Sequence, residues 1–390
     1  MKKVLYVLLA AVITLSMVLV ECSETPAATT PAKAKPSPKP SAGKIALDPA
    51  YLDQINKQPL PKFFIATTNP GGQGERQVTL ISSIIAKYSP LKGTVTLLSG
   101  GFESRIEPMR KGEVDWFPVS AASPMSAYNG ETKGYKPLRL RQMFTRDCSV
   151  PGNIMAVWVL PNSNIKSGKD LAGKIIAYSP GHAWSLPLIH GILTANGSTA
   201  KDFTGVPIAT YEMGFEQLVE RRVDAITCIT SNTTEQQALT NGVRMLPLTK
   251  QETDSIIKLS PYLNAGMTPE NYLGSGKSVW GILNPDAFWV RPDVNEKSML
   301  TFCDTLFSHL DEWYAGDPRN VMLKVETACS DCPWKVPFHA GSVIWFVQKG
   351  IWTQEHTENQ KALLEQEKRQ FGNIPAADVA IMKQLGVTIN

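Results

Sequence analysis

The chain has 390 residues, 43% of them hydrophobic and 19% charged, with 39 Lys and Arg against 35 Asp and Glu for a formal charge of +4. The length allows two domains with substantial cores. The basic excess lies at the start, where Lys2, Lys3, Lys33, Lys35, Lys39 and Lys44 outnumber Glu21 and Glu24. The rest is neutral and carries no basic stripe of the kind that nucleic-acid binding needs.

Lys2 and Lys3 precede an apolar run from Val4 to Val20, the order of a bacterial secretion signal over residues 1–21. The mature chain is therefore expected outside the cytoplasm, in the periplasm or on the outer face of the cytoplasmic membrane. Leu19-Val20-Glu21-Cys22 is similar to a lipidation box, although Glu21 stands where a small residue is usual. Two readings remain open: Cys22 is lipidated, or the apolar run stays as an anchor of roughly the 20 residues that span a bilayer. Either way residues 22–60 begin with a Pro, Ala, Thr and Lys tether that has too little apolar surface to fold and extends by about 3 Å per residue.

The folded part opens with a strand at Lys62–Thr67, a glycine-containing loop, and a helix with Val78, Ile81, Ile85 and Tyr88 on one face. A second strand, Gly93–Leu98, leads into SGGFESRIEPMRKGEVDWFPVS, residues 99–120. Gly100 and Gly101 allow a tight turn, Glu103–Lys111 reads as a helix whose first N–H groups point above the glycines, and Val114–Val119 reads as a strand that delivers Ser120 to the same crevice. That is a place to hold an anion. It is equally the pattern of an ordinary βαβ unit with nothing bound.

A second series follows: strand Ile154–Leu160, a capped turn at Ser167–Asp170, strand Lys174–Tyr178, a helix opened by Ser179-Pro180-Gly181-His182, strand Val206–Tyr211, helix Phe215–Arg221, strand Ala225–Ile229 and helix Thr233–Thr240. After Pro285 a helix is expected over Glu296–Tyr314 and another after the HAGS turn at His339–Ser342. The alternation predicts an α/β fold with largely parallel sheets. The organisation expected is one lobe from residues 61–152 with 283–352, a second from 153–282, and a helical extension over 353–390.

Cys148, Cys228, Cys303, Cys329 and Cys332 form an odd set besides Cys22. Cys329-Ser-Asp-Cys332 has the spacing of a redox or zinc pair, and a local disulfide is the plainer reading. Arg105 could clamp a carboxylate or be an ordinary solvated charge. His182 could donate to an anion or simply cap a helix, Phe102 and Trp184 could stack on a ligand or pack in a core, and His339 reads as a residue that stabilises the fold.

Between Lys62 and Trp352 the chain resembles the solute-binding subunits of TRAP transporters of the TAXI type. The resemblance rests on the AT...GG turn at Ala66–Gly72, SGG and KGEVD between Ser99 and Asp115, IKS..DLAGK, the turn at Ser179–Gly181, Val223-Asp224-Ala225, Tyr272-Leu273-Gly274 and HAGS. It implies a two-lobed periplasmic-binding-protein fold, type II-like, with hinged lobes around a ligand cleft. It also implies a small organic anion as ligand, TRAP permease subunits as membrane partner, and neither a cofactor, a metal nor an enzymatic activity. The site expected on these grounds comprises Thr68, Asn69, Ser99, Gly100, Gly101, Phe102, Arg105 and Ser120 from one lobe, and Ser179, Gly181, His182, Trp184 and Thr230 from the other. The chain departs from the family at Phe102, Arg105 and Gly181-His182-Ala183-Trp184, so the family's ligand does not carry over; Phe102, Trp184 and Trp280 suggest a carboxylate with an apolar or aromatic body. The expected receptor is monomeric. Its alternatives are the binding lipoprotein of an ABC importer and an extracytoplasmic thiol enzyme using Cys329 and Cys332.

Overall fold

The computed structural model describes residues 45–67, 73–98, 102–147, 153–230, 232–268, 277–284, 286–316, 320 and 322–389. In chain order the elements are α1 (Pro49–Lys57), β1 (Phe63–Thr67), α2 (Gln73–Tyr88), β2 (Gly93–Leu97), α3 (Glu103–Arg110), β3 (Trp116–Ser120), α4 (Ala122–Asn129) and β4 (Arg141–Gln142). Next come β5 (Asn153–Val159), a 3-10 turn (Gly168–Leu171), β6 (Lys174–Tyr178), α5 (Ser185–Ala195), β7 (Phe203–Pro207), α6 (Tyr211–Val219), β8 (Ala225–Ile229), α7 (Asn232–Asn241) and β9 (Arg244–Met245). The chain continues with α8 (Lys250–Leu259), β10 (Asn264–Met267), β11 (Trp280–Asn284), β12 (Asp286–Val290), α9 (Glu296–Ser308), α10 (Leu310–Gly316), α11 (Ala340–Gln348), α12 (Gln354–Phe371) and α13 (Ala376–Gln384).

From Ala42 to Asn390 the chain is one compact unit built on two sheets. The first has the order β2-β1-β3-β12-β4, with β1, β2 and β3 parallel and β12 antiparallel to both β3 and β4. The second has the order β10-β11-β5-β8-β6-β7, with β9 also on β5; β6, β7 and β8 are parallel and β5 runs against its neighbours β8, β9 and β11. The sheets are therefore mixed, not largely parallel. The reason is long-range: β12 returns beside β3, pairing Phe288 with Pro118 and Trp289 with Phe117, a contact that no local pattern announces. Each sheet carries helices, so the fold is α/β with two lobes, each centred on one sheet.

Local chemistry accounts for several elements. Ser167 and Asp170 form a reciprocal capping box on the 3-10 turn, the Asp170 carboxylate accepting from the Lys166 and Ser167 N–H groups at 2.9 Å each. Val78, Ile81 and Ile85 are buried on α2 as their spacing predicts, whereas Tyr88 is exposed and stacks on His309. The helix expected over Glu296–Tyr314 breaks at His309 into α9 and α10. The strand expected at Val206–Tyr211 lies instead at Phe203–Pro207, and Tyr211 begins a helix that Thr210 caps by accepting from the Met213 N–H.

His339 caps α11, its Nδ1 accepting from Gly341 N at 3.1 Å while Nε2 donates to the Val294 carbonyl at 2.8 Å. Gly341 is required by close approach: a Cβ there would sit 2.4 Å from the Glu296 carbonyl oxygen. On α12, Thr357, Gln360, Leu364 and Glu367 recur at helical spacing on the buried face. Gln360 bonds both the N–H and the carbonyl of Phe338, at 2.9 and 2.8 Å. Glu367 and Asp378 enclose Arg141.

Candidate functional site

In an open α/β sheet ligands gather where parallel strands end and helices begin. On the first lobe that place holds Thr67, Ser120 and the start of α4. Thr67 ends β1 with its hydroxyl buried and without a hydrogen-bond partner among the described residues, and Ser120 ends β3 opposite Asp286. On the second lobe it holds the turn from Ser179 to Trp184, which follows β6, and Thr230, which follows β8.

The lobes touch through the first turn of α4. Ser123 Oγ accepts from the Ala183 N–H at 3.2 Å, and Ala122 packs into the second lobe's core with Met155, Ile176 and Trp184. At the other end of α4 the Tyr262 hydroxyl of the second lobe donates to Glu131 Oε1 at 3.0 Å and accepts from the Asn129 amide. Neither Ser123 nor Tyr262 stood out in the sequence, because each acts through a partner far along the chain.

The expected helix start at Ser179–His182 is a separate turn: His182 N donates to the Ser179 carbonyl at 3.2 Å and Ser185 N to the His182 carbonyl at 2.9 Å, so α5 begins only at Ser185. This turn exposes the half-buried His182 ring to α6, where the Tyr211 ring stacks on it at 5.4 Å and 16°, its hydroxyl 3.4 Å from His182 Nδ1. Burial, joined by the charge of Arg105, pushes His182 down to about 4. Arg105 therefore lies within electrostatic reach across the lobes. It is 1% exposed on α3, and burial, partly offset by Glu103, pushes its guanidinium down to about 10.

The charge of Arg105 on α3 thus bears on His182 in the second lobe. Ser120, Ser179, Gly181 and Thr230 stand at strand ends as expected, although the Thr230 hydroxyl is already engaged, accepting from the Ile154 N–H at 2.8 Å. Thr68, Asn69, Ser99, Gly100, Gly101 and Cys22 lie outside the described residues.

The aromatic candidates serve packing. Phe102 is 2% exposed in the first lobe's core, its ring tilted on Phe117 at 5.4 Å, and Trp184 is 1% exposed in the second lobe's core. Trp280 faces Lys250, whose Nζ stands 5.7 Å above the ring. The rings that suggested an aromatic ligand are accounted for in these ways, and that suggestion loses its support.

The local disulfide is corrected. Cys329 is a buried free thiol, as are Cys228 and Cys303, while Cys332 is disulfide-bonded to a partner outside the described residues. Burial pushes the Cys329 thiol up to about 12, the opposite of what an attacking thiolate needs. Among the described residues no group of His, Cys, Asp and Glu is placed to hold a metal ion, and no helix is long and apolar enough to cross a membrane.

A family model described as the NMT1-like family matches residues 66–350, and the chain belongs to that family. No curated protein matches it. Among solved structures it is similar to the periplasmic aliphatic sulphonate binding protein SsuA of Escherichia coli, at 15% identity over 84% of this chain and 92% of that one with a TM-score of 0.45. It is also similar to the alkanesulfonate-binding protein SsuA of Xanthomonas axonopodis pv. citri bound to MOPS, at 14% identity over 82% and 96% with a TM-score of 0.44. A third is the substrate binding protein of an amino acid ABC transporter, at 13% identity over 66% and 97% with a TM-score of 0.40. No ligand or residue role is transferred from these likenesses.

Proposed function

We propose that the protein is an extracytoplasmic solute-binding receptor, not an enzyme, which closes its lobes on a small organic anion and hands it to a membrane transporter. The observation that carries this reading is the buried guanidinium of Arg105, whose charge bears on His182 in the other lobe, within a chain whose residues 66–350 match the NMT1-like family. An anion seated beside a buried guanidinium offsets the cost of its desolvation. A charge-assisted hydrogen bond from that guanidinium would contribute about 1.5–3 kcal/mol.

Ser120, Ser179 and Gly181 are proposed to complete the site from the strand ends, together with Thr68, Asn69, Ser99, Gly100 and Gly101 from the glycine turns. Lobe closure would exclude water and make the surface that the transporter reads. A tether from Cys22 would keep the receptor near that partner.

Two partner classes follow from the two lines of resemblance. The sequence motifs favour a TRAP permease, whereas the third of the similar structures named above comes from an ABC transporter, which fits the binding component of an ABC importer better. Reconstitution with each permease class separates them. The receptor reading itself is tested by a thermal-shift screen of carboxylates and sulfonates followed by calorimetry. A ligand present at 100 times its Kd raises apparent stability by about 2.7 kcal/mol. Stabilisation by at least one organic anion, and by no neutral analogue of it, is expected; a screen in which neutral solutes alone stabilise the protein contradicts the reading.

A further inference from the structure

We propose that strand β2 is a docking edge for a second copy of this chain, two copies pairing antiparallel about Val95 so that their first sheets join into one. The result is a dimer in place of the monomer expected from the sequence. It does not depend on the ligand or on the site between the lobes.

Both sheets end in a parallel strand reached through one helix, and the two edges differ. β1 leads through α2 to β2, and β6 leads through α5 to β7. Phe63 N donates to the Lys92 carbonyl at 2.8 Å and Leu98 N to the Thr67 carbonyl at 3.1 Å. The alternation of the ladder therefore turns the N–H and C=O groups of Gly93, Val95 and Leu97 away from β1. In β7 the bond from Ile208 N to the Tyr178 carbonyl turns out Phe203, Gly205 and Pro207 in the same way. Pro207 has no N–H to give, so that edge cannot template a full ladder. β2 carries neither Pro nor charge, its register with β1 is unbroken, and all five of its residues are exposed.

The strand is also complementary to itself. Set antiparallel with Val95 at the centre, Val95 faces Val95 of the other copy, Gly93 faces Leu97, and Thr94 faces Thr96. All three outward residues then fall in hydrogen-bonded pairs, and the threonines form favourable cross-strand pairs on the opposite face. Val95 shares its face with Ile65, which is buried, yet Val95 is 43% and Leu97 45% exposed. Each Leu97 would lie over the other copy's Gly93, where Ile65 Cδ1 comes within 3.1 Å of the place a Cβ would take, so it would cover Ile65 as well. Lys92 faces Leu98, which leaves the two Lys92 side chains about 20 Å apart along the ribbon, at about 3.3 Å per residue. That exceeds the screening length of about 8 Å, so no like charges oppose the pairing. A five-residue edge is small beside the roughly 1,600 Å² of a standard stable interface, and the dimer is accordingly weak and dependent on concentration.

Sedimentation velocity of the full chain, from micromolar to millimolar concentration, should show a monomer that gives way reversibly to a dimer. Val95→Lys sets like charges directly opposite each other at an exposed position. It should keep the protein monomeric at every concentration, with a melting temperature near that of the wild type. The register is read separately by mild oxidation of Thr94→Cys mixed with Thr96→Cys. These positions face each other with Cα atoms about 4.5 Å apart, within disulfide reach. The mixture should give a crosslinked heterodimer, and neither variant alone should crosslink beyond the wild type. A wild type that stays monomeric throughout, whether or not another protein's strand binds this edge, overturns the proposal. So does a dimer that survives Val95→Lys, a mixture that does not crosslink, or either variant crosslinking alone as fully as the mixture. If Val95→Lys does not fold, the crosslinks decide.

Discussion

Two arginines of the first lobe are buried to 1% exposure or less, and their guanidinium groups are shifted in opposite directions. Arg141 is enclosed by carboxylates, Nη1 lying 2.5 Å from Glu367 and Nη2 2.6 Å from Asp378, with Arg139 and the Tyr128 hydroxyl completing the contacts to Glu367. Burial opposes its charge, but Asp378 and Glu367 outweigh that cost and hold the guanidinium above its ordinary value. Arg105 is held below its ordinary value by burial, with Glu103 offsetting only part, and its charge bears on His182. The first arrangement joins α12 and α13 to β4 and has the form of a finished structural joint. At the second, burial is the larger influence, and a cation of that kind is stabilised further when an anion is seated beside it.

The largest effect should come from breaking the finished joint. Arg141→Met leaves Glu367 and Asp378 buried without their counter-ion, and loss of one partner from such a network costs about 3–5 kcal/mol. Denaturant unfolding should show that loss, while the fraction that remains folded keeps its anion affinity. An affinity that collapses along with stability would erase the distinction between the two arginines.

A comparable effect follows acidification. Burial holds both His182 and His339 at about 4, with Arg105 adding to it at His182 and Glu296 offsetting part of it at His339, against about 6.5 in an unfolded chain. Between those values the unfolded chain binds protons that the native one refuses, so stability is full above about pH 6.5 and falls as the pH drops toward 4. Each group contributes a slope of up to about 1.4 kcal/mol per pH unit. Arg105→Gln should shrink the His182 share and leave that of His339 intact; equal curves for the two proteins would mean that Arg105 does not act on His182.

The smallest effect lies at the rim. Tyr262→Phe removes the hydroxyl that joins Glu131 and Asn129 across the lobes, worth about 1 kcal/mol. Small-angle scattering of the ligand-free protein should shift toward a larger radius of gyration, with the melting temperature nearly unchanged. An unaltered scattering curve would show that this contact does not hold the lobes together.

Local chemistry was legible in the sequence, and chemistry between segments was not. Strand β6 lies at Lys174–Tyr178 as its pattern predicts, the Ser167–Asp170 cap forms, and His339 serves the fold through its cap and the close approach at Gly341. Each of these depends on neighbours in the chain. Strand β12 was missed because its hydrogen bonds go to β3, far away in sequence. Tyr211 was read as the end of a strand, although Thr210 just before it is a helix-capping residue type, the one signal that could have marked a helix start. Arg105 and His182 each stand out in the sequence, but the influence of one on the other arises only from the packing of two lobes. Phe102 and Trp184 show the converse failure: large rings beside glycine turns suggested stacking platforms, and both are used to fill cores.

The central claim is that Arg105 is buried for a ligand's sake and Arg141 for the fold's. It is tested most directly by measuring Arg105→Gln alongside the wild type, in thermal melting without ligand and in calorimetry with the tightest-binding acid from the screen. The account predicts a melting temperature equal to or above that of the wild type, because a cation that burial disfavours has been removed, together with an affinity at least about 100-fold weaker, on the scale of the 2–5 kcal/mol lost when one member of a buried charge pair is truncated. Unchanged affinity, or a loss of stability as large as that of Arg141→Met, would contradict it.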